Sequence, residues 1–246
     1  MKIDLNCDLG ESFGLYTLGD DAAIMPLITS ANIACGFHAG DASVMQATVR
    51  LAKKYGVAVG AHPGWPDLQG FGRRDMALST EETEALVLYQ IGALAAFAKA
   101  EGVELRHVKP HGALYNQSAK DAGLAEAVAR AAKRFSVELA LVGLAGSRSI
   151  EAARGMGLRV LEEGFPDRGY TSEGQLIPRS QAGAILSSVE EVAAHAVSLA
   201  VNGIRFGEKQ IRVDTLCIHG DNIHAVENAR KVRDALEAAG VEVTAN

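Results

Sequence analysis

Asn6 and Asp8 alternate along one short apolar run, and Lys109 and His111 flank the end of another, so each pair faces one side of an extended strand. His38, His62 and His219 follow or close three more such runs. A histidine at a strand exit titrates near neutrality and suits a general acid, a general base or a metal ligand. A partly desolvated Lys109 beside His111 suits a developing oxyanion or proton donation. Arg73 and Arg74, in a glycine-rich stretch, offer a guanidinium fork to a carboxylate or phosphate. Adjacency does not say which of the two faces inward.

Several of these residues also have a plainer reading. Asp8, with Glu11 close behind, can be a structural carboxylate accepting backbone N–H bonds in the turn to Gly14. His38 can be a turn residue, although Gly36 and Gly40 also let a ligand approach the backbone closely. The helix start after Asp41 could hold an anion. Arg73 and Arg74 can be an exposed basic pair. His107, His195 and His224 sit a strand position back or within helices and read as structural or surface residues.

The elements that must position this chemistry repeat. Apolar runs at Lys2–Asp8, Ala31–Cys35, Val57–His62, Arg106–His111, Glu138–Val142, Leu158–Glu163 and Val213–His219 read as seven strands, most followed by a helical pattern. Asp41 caps a helix with Val44, Thr48, Leu51 and Tyr55 on one face, ended by Gly56. Ser79 and Glu82 form a capping box for a helix running to Gly102. Ser118 with Asp121 opens a helix carrying Leu124, Val128 and Phe135. Ser188 with Glu191 opens another, and Asp221 or Asn222 the last. Continuous apolar strands alternating with helices imply a parallel sheet covered outside. Ionisable exits spread over many strands favour closure into a barrel over an open sheet, which concentrates its site at one switch point. The expectation is one α/β domain, a seven-stranded TIM-like barrel over residues 1–246. Two long connections, Pro63–Leu78 and Gly164–Ser187, read as lids or binding loops; the second carries Asp167, Arg168, Tyr170, Glu173 and Arg179.

Composition excludes several classes. A net charge of −6 with scattered basic residues argues against nucleic acid or an anionic membrane as partner. No apolar span is long enough to cross a bilayer, and Met1 leads straight into a strand, so the expectation is a soluble, cytoplasmic protein. Cys7, Cys35 and Cys217 lie in separate strands without a Cys-x-x-Cys, which points to buried thiols. No phosphate loop, dinucleotide fingerprint, nucleophile elbow or His-Glu-x-x-His occurs.

The runs Asp4-Leu5-Asn6-Cys7-Asp8-Leu9-Gly10-Glu11, Ala31-Asn32-Ile33-Ala34-Cys35-Gly36-Phe37-His38-Ala39-Gly40-Asp41 and Lys109-Pro110-His111-Gly112-Ala113-Leu114-Tyr115-Asn116 together resemble the LamB/YcsF family. Gly60-Ala61-His62-Pro63, Phe71-Gly72-Arg73 and His219-Gly220-Asp221 extend the likeness over essentially the whole chain. It implies a barrel of the glycoside hydrolase/deacetylase type. It also implies ATP-dependent opening of 5-oxo-L-proline to L-glutamate, as the A subunit of a 5-oxoprolinase that works with subunits B and C. Cys7 stands where the family often has alanine, and Pro166 interrupts a common Phe-Ala-Asp-Arg run; neither touches a proposed acid, base or anion ligand.

In a mechanism that suits both readings, phosphorylation of the lactam oxygen makes it a leaving group and water attacks the activated carbon. ATP is then bound mainly by the partner subunits. Asp8 or His62 is the base, and Lys109 and His111 stabilise charge on the lactam oxygen or departing phosphate. Asn6, His38, Arg73, Arg74 and His219 bind the substrate. Two alternatives stand beside it. One is a metal-dependent carbohydrate or amide deacetylase, with Asp8, His38, His62, His111 and His219 around a divalent ion. The other is a binding subunit without chemistry of its own.

Overall fold

The computed structural model describes residues 1–172, 175–177, 181–186, 188–220 and 225–246. Seven parallel strands form a closed ring: β1 (Lys2–Leu9), β2 (Ser30–Ala34), β3 (Ala58–His62), β4 (Leu105–Val108), β5 (Ala140–Leu144), β6 (Arg159–Gly164) and β9 (Thr215–Ile218). Each pairs with the next, and β9 returns to β1 through Asn6 opposite Cys217. The closed barrel expected from the spread of exits is the one observed. An antiparallel hairpin, β7 (Ile204–Phe206) and β8 (Lys209–Ile211), lies in the excursion between β6 and β9. A short β10 (Glu242–Val243) adds to the start of β1.

Helices α1 (Asp21–Ile24), α2 (Ala42–Tyr55), α3 (Thr80–Ala100), α4 (Gly112–Ser118), α5 (Ala122–Phe135), α6 (Arg148–Gly155), α7 (Val189–Asn202) and α8 (Ala225–Ala238) connect the strands. Asp41 caps α2, Ser79 with Glu82 closes the capping box of α3, and Ser188 caps α7, each as its sequence indicates. Two helical details differ. The buried face of α2 is Met45, Thr48, Val49 and Ala52, leaving Tyr55 exposed. Asp121 alone caps α5, because Ser118 belongs to the last turn of α4 and bonds back to the Tyr115 carbonyl. The fourth strand also stops early: Pro110 has no N–H to continue a ladder, so α4 starts directly after His111. Asp221, Asn222 and His224, like Glu173 and Arg179 of the second long connection, lie outside the described residues.

Alternation along β1 sets the character of the interior. Ile3, Leu5, Cys7 and Leu9 are buried among the apolar side chains of the main core. Asp4, Asn6 and Asp8 point the other way and bond across the lumen to Ser30, Asn32, Lys109, Glu163 and Thr215. Barrel lumens of this kind are usually packed with branched apolar side chains; here a polar network fills the space, and each of these side chains has a partner, as burial demands. Cys7, Cys35 and Cys217 are buried free thiols.

Gly60 shows how tightly that network is cut. It lies in register between Asn32 on β2 and His107 on β4, and the His107 ring crosses it to bring Nε2 within 2.7 Å of Asn32 Oδ1. A Cβ on residue 60 would come 2.1 Å from His107 Nε2. Gly60→Ala is therefore expected to displace the ring and destabilise the fold by about 1–3 kcal/mol from overpacking alone. A urea midpoint equal to that of the parent would contradict this packing.

Candidate active site

The strand ends enclose a cavity of about 260 Å³ walled by Asp8 from β1, His62 from β3, Lys109 and His111 beyond β4, and His219 beyond β9. Glu11, Arg73, Tyr115, Phe165 and Arg168 complete most of the wall. Residues more than two hundred positions apart thus share one chamber at the C-terminal mouth, where barrel chemistry is placed.

Asp8 and Lys109 form its floor. Asp8 Oδ1 accepts from Lys109 Nζ at 2.9 Å and from Asn32 Nδ2 at 2.8 Å, and its Oδ2 lies 3.4 Å from His62 Nε2. Burial pushes the Asp8 carboxyl up, but the charges of His62 and Lys109 outweigh it and hold it well below the usual range. Lys109 Nζ also meets Glu163 Oε1 at 3.0 Å, Cys217 Sγ at 3.1 Å and Asn6 Oδ1 at 3.2 Å. An ammonium has three N–H bonds, and four acceptors already surround this one. Burial opposes its charge, yet Asp8, Cys217 and Glu163 raise its pKa well above the ordinary value. Lys109 therefore pairs with Asp8 and Glu163 and aligns both, and has no donor left over for a ligand. Glu163 is itself held by the Tyr115 hydroxyl at 2.7 Å.

A cluster of imidazoles stands beside this floor. His62 Nδ1 lies 2.7 Å from the Lys109 carbonyl, and His111 Nε2 lies 2.8 Å from the Phe71 carbonyl. His38 stacks on His111, with ring centroids 3.7 Å apart, and reaches Glu11 Oε1 through Nε2 at 3.2 Å. Burial first, then neighbouring imidazoles, pushes the pKa of His38 and His111 well below normal. Phe71 has φ of 54°, unusual for a residue with a side chain. Its carbonyl bond to His111 and its edge contacts with His38 and His111 hold it there. Glu11, His38, His62 and His111 are the group, among the described residues, whose donor atoms all lie within 4.8 Å of one another and could hold a metal ion.

The cavity lining also carries positive charge. His219 Nδ1 is 2.8 Å from Asp167 Oδ2. Burial lowers its pKa, but Asp167 and, more distantly, Asp8 outweigh that and raise it, favouring the imidazolium. The Arg73 guanidinium lies 5.0 Å from the Phe71 ring centroid, a cation–π contact at the cavity rim.

The structure separates residues that the sequence groups together. Asp8, His62, Lys109, His111, Arg73 and His219 line the cavity. Arg74 does not: it pairs with the buried carboxylate of Asp67 and is otherwise largely exposed. Asn6 lies behind Lys109 in the lumen, and His38 lies behind His111; neither lines the cavity, so direct substrate contact does not follow for them. The sequence reading of the site lacks Glu163 and Tyr115, and it includes Arg168 only as part of a lid or binding loop. The only sequence signal for Glu163 is a carboxylate at the end of an apolar strand. His107 is a buried lumen residue with its pKa lowered to about 3, first by burial and then by Lys109, and His195 bonds the Pro166 carbonyl.

A closed parallel barrel with an ionisable cavity at its C-terminal mouth places this chain among the α/β-barrel proteins of the deacetylase-like architecture. At 12% identity, the family 4 carbohydrate esterase from Streptomyces lividans shares that fold, with a TM-score of 0.52 over 98% of this chain and 91% of the esterase. The model of the LamB/YcsF family matches residues 3–246, and the chain belongs to that family. It is 57% identical to the A subunit of 5-oxoprolinase from Pyrococcus furiosus, covering 99% of this chain and 97% of that one. It is 52% identical to the Bacillus subtilis protein of the same name, over 99% and 96% of the two chains. The crystal structure of the lactam utilization protein from Thermus thermophilus superposes with a TM-score of 0.94 at 55% identity, covering all of both chains.

Proposed function

We propose that this chain is the A subunit of a 5-oxoprolinase, a hydrolase that opens the lactam of 5-oxo-L-proline to L-glutamate. The observation that carries the reading is the full-length identity of more than half with relatives bearing that name. The cavity supports it chemically, being small and lined with both basic and cationic groups.

A lactam is a poor electrophile, so ATP phosphorylates its oxygen. Water then adds to the activated carbon, and the ring C–N bond breaks as the nitrogen takes a proton. A second water releases phosphate from the resulting acyl phosphate to give L-glutamate. The absence of a phosphate loop from the sequence supports an ATP site contributed mainly by partner subunits B and C. Within the cavity, Asp8, oriented by Lys109 and Asn32, is the carboxylate that aligns the attacking water and takes its proton. His62, 3.4 Å from Asp8 Oδ2, stands beside it as the second basic group. Arg73 holds the substrate carboxylate. The His219 imidazolium, held by Asp167, faces the negative charge that gathers on the lactam oxygen or its phosphoryl group. His111 helps hold His62 in place through their contact at 3.0 Å.

The test is glutamate release from 5-oxoproline and ATP by this chain combined with its B and C partners. Omitting the chain is expected to abolish release. Loss of a charge-assisted hydrogen bond is worth about 1.5–3 kcal/mol, so Arg73→Ala is expected to raise KM roughly 10- to 100-fold. Arg74→Ala, which removes an exposed arm paired with Asp67, is expected to leave KM within about twofold. Equal glutamate release without the chain would refute the assignment.

A further inference from the structure

We infer that Glu11, His38, His62 and His111 form a binding site for one divalent transition-metal ion of the zinc type. The argument begins with tautomers. A backbone carbonyl only accepts hydrogen bonds, so the contact with the Lys109 carbonyl places the N–H of neutral His62 on Nδ1. The contact with the Phe71 carbonyl likewise places the N–H of neutral His111 on Nε2. The remaining nitrogens, His62 Nε2 and His111 Nδ1, then carry lone pairs, and they face each other at 3.0 Å. Glu11 Oε1 lies 3.3 Å from the latter and 4.0 Å from the former. Two lone pairs and a carboxylate oxygen converge on one point with almost no exposure to solvent. Such an arrangement is repulsive unless positive charge sits at the centre, and the choice is between a proton and a cation.

Two observations favour the cation. Imidazole ligands of metals commonly donate their other N–H to a carbonyl or carboxylate, which sets the tautomer and aims the ring, and both rings here do so. His38 offers a fourth ligand atom in Nε2, whose proton faces Glu11 Oε1 at 3.2 Å; an ion there would shift that proton to Nδ1, which has no hydrogen-bond partner. Three imidazoles and one carboxylate suit zinc, cobalt or iron(II) and do not suit magnesium or calcium, which prefer all-oxygen sites. Glu11, His62 and His111 also line the cavity, so an ion there would be open to a ligand on one side. It would polarise a substrate oxygen or acidify a water, leaving Asp8 as the adjacent proton acceptor. The site stands on its own geometry, independently of the substrate assignment.

The experiment uses the full chain without a histidine tag, stripped with a chelator and titrated with ZnCl₂ by calorimetry at neutral pH. One Zn²⁺ per chain at micromolar affinity or tighter is expected. His62→Ala and His111→Ala should each weaken binding at least tenfold, with circular dichroism confirming that they fold. In the wild type, ZnCl₂ should raise Tm, and CoCl₂ should produce the visible absorption bands of low-coordinate, nitrogen-ligated cobalt; neither readout needs a variant. Absence of stoichiometric Zn²⁺ binding would overturn the inference and assign the contact to a shared proton. Unchanged affinity in the His62→Ala/His111→Ala double variant would overturn it as well. Glutamate release enters none of these measurements, so their failure is distinct from failure of the functional assignment.

Discussion

Lys109→Ala is expected to unfold more easily than the parent by about 3–5 kcal/mol, the usual range for removing one partner of a buried ion pair. The loss exceeds that of a surface pair because two carboxylates, Asp8 and Glu163, would share a closed space with no cation between them. The variant should also show a reversed pH response. Acid that protonates either carboxyl relieves their repulsion, so the stability gap between variant and parent should narrow as pH falls below about 5. Activity should fall by two or more orders of magnitude, through misplacement of Asp8 and without loss of a direct contact to substrate. Denaturant midpoints at pH 7 and 4.5 measure the first effect, and glutamate release by the reconstituted complex measures the second. A variant as stable as the parent at pH 7 would show that the Asp8–Lys109–Glu163 network is not holding two charges together.

The second large effect is acid lability. His38, His107 and His111 are kept neutral in the fold, His107 down to about 3, chiefly by burial. In the unfolded chain each has a pKa near 6.5. Below that value the unfolded state binds more protons than the folded one, so stability declines as pH falls. Three protons give a slope of about 4 kcal/mol per pH unit as a ceiling. Depressed Asp8 adds to the loss only below about pH 4, where its unfolded counterpart protonates. Asp4, Asp21 and His219 have raised values and work in the opposite sense, each stabilising the fold at low pH and losing that contribution as pH rises through its folded pKa. The observed slope should therefore be shallower than the ceiling but of the same sign. Urea midpoints from pH 8 to 5, with a chelator present, measure it. A flat profile between pH 7 and 5 would mean that the buried rings accept protons in place.

Much of this protein is legible before any fold is known. Apolar runs ending at Asp8, His62 and His219 identify strands and their chemical ends, because the alternation of a strand and the caps of a helix are local properties. Asp41, Ser79 and Ser188 cap the helices that their own neighbours indicate. Where the local signal was shared, it misled: Ser118 and Asp121 both look like caps, and only the unforeseen short helix after His111 decides between them. Gly60 gives no chemical signal at all, yet its missing side chain is what lets His107 cross to Asn32.

Residue types, their spacing and the family were thus determined by the chain itself, and with them the barrel and the identity of the groups at its mouth. Which groups meet was decided only by tertiary structure. Arg73 and Arg74 are neighbours in sequence, but one borders the cavity and the other is drawn to Asp67. Lys109 reads as a free donor until four acceptors close around it. Electrostatic roles depend on distances of a few ångströms across the lumen, and ring closure sets those distances between strands far apart in the chain.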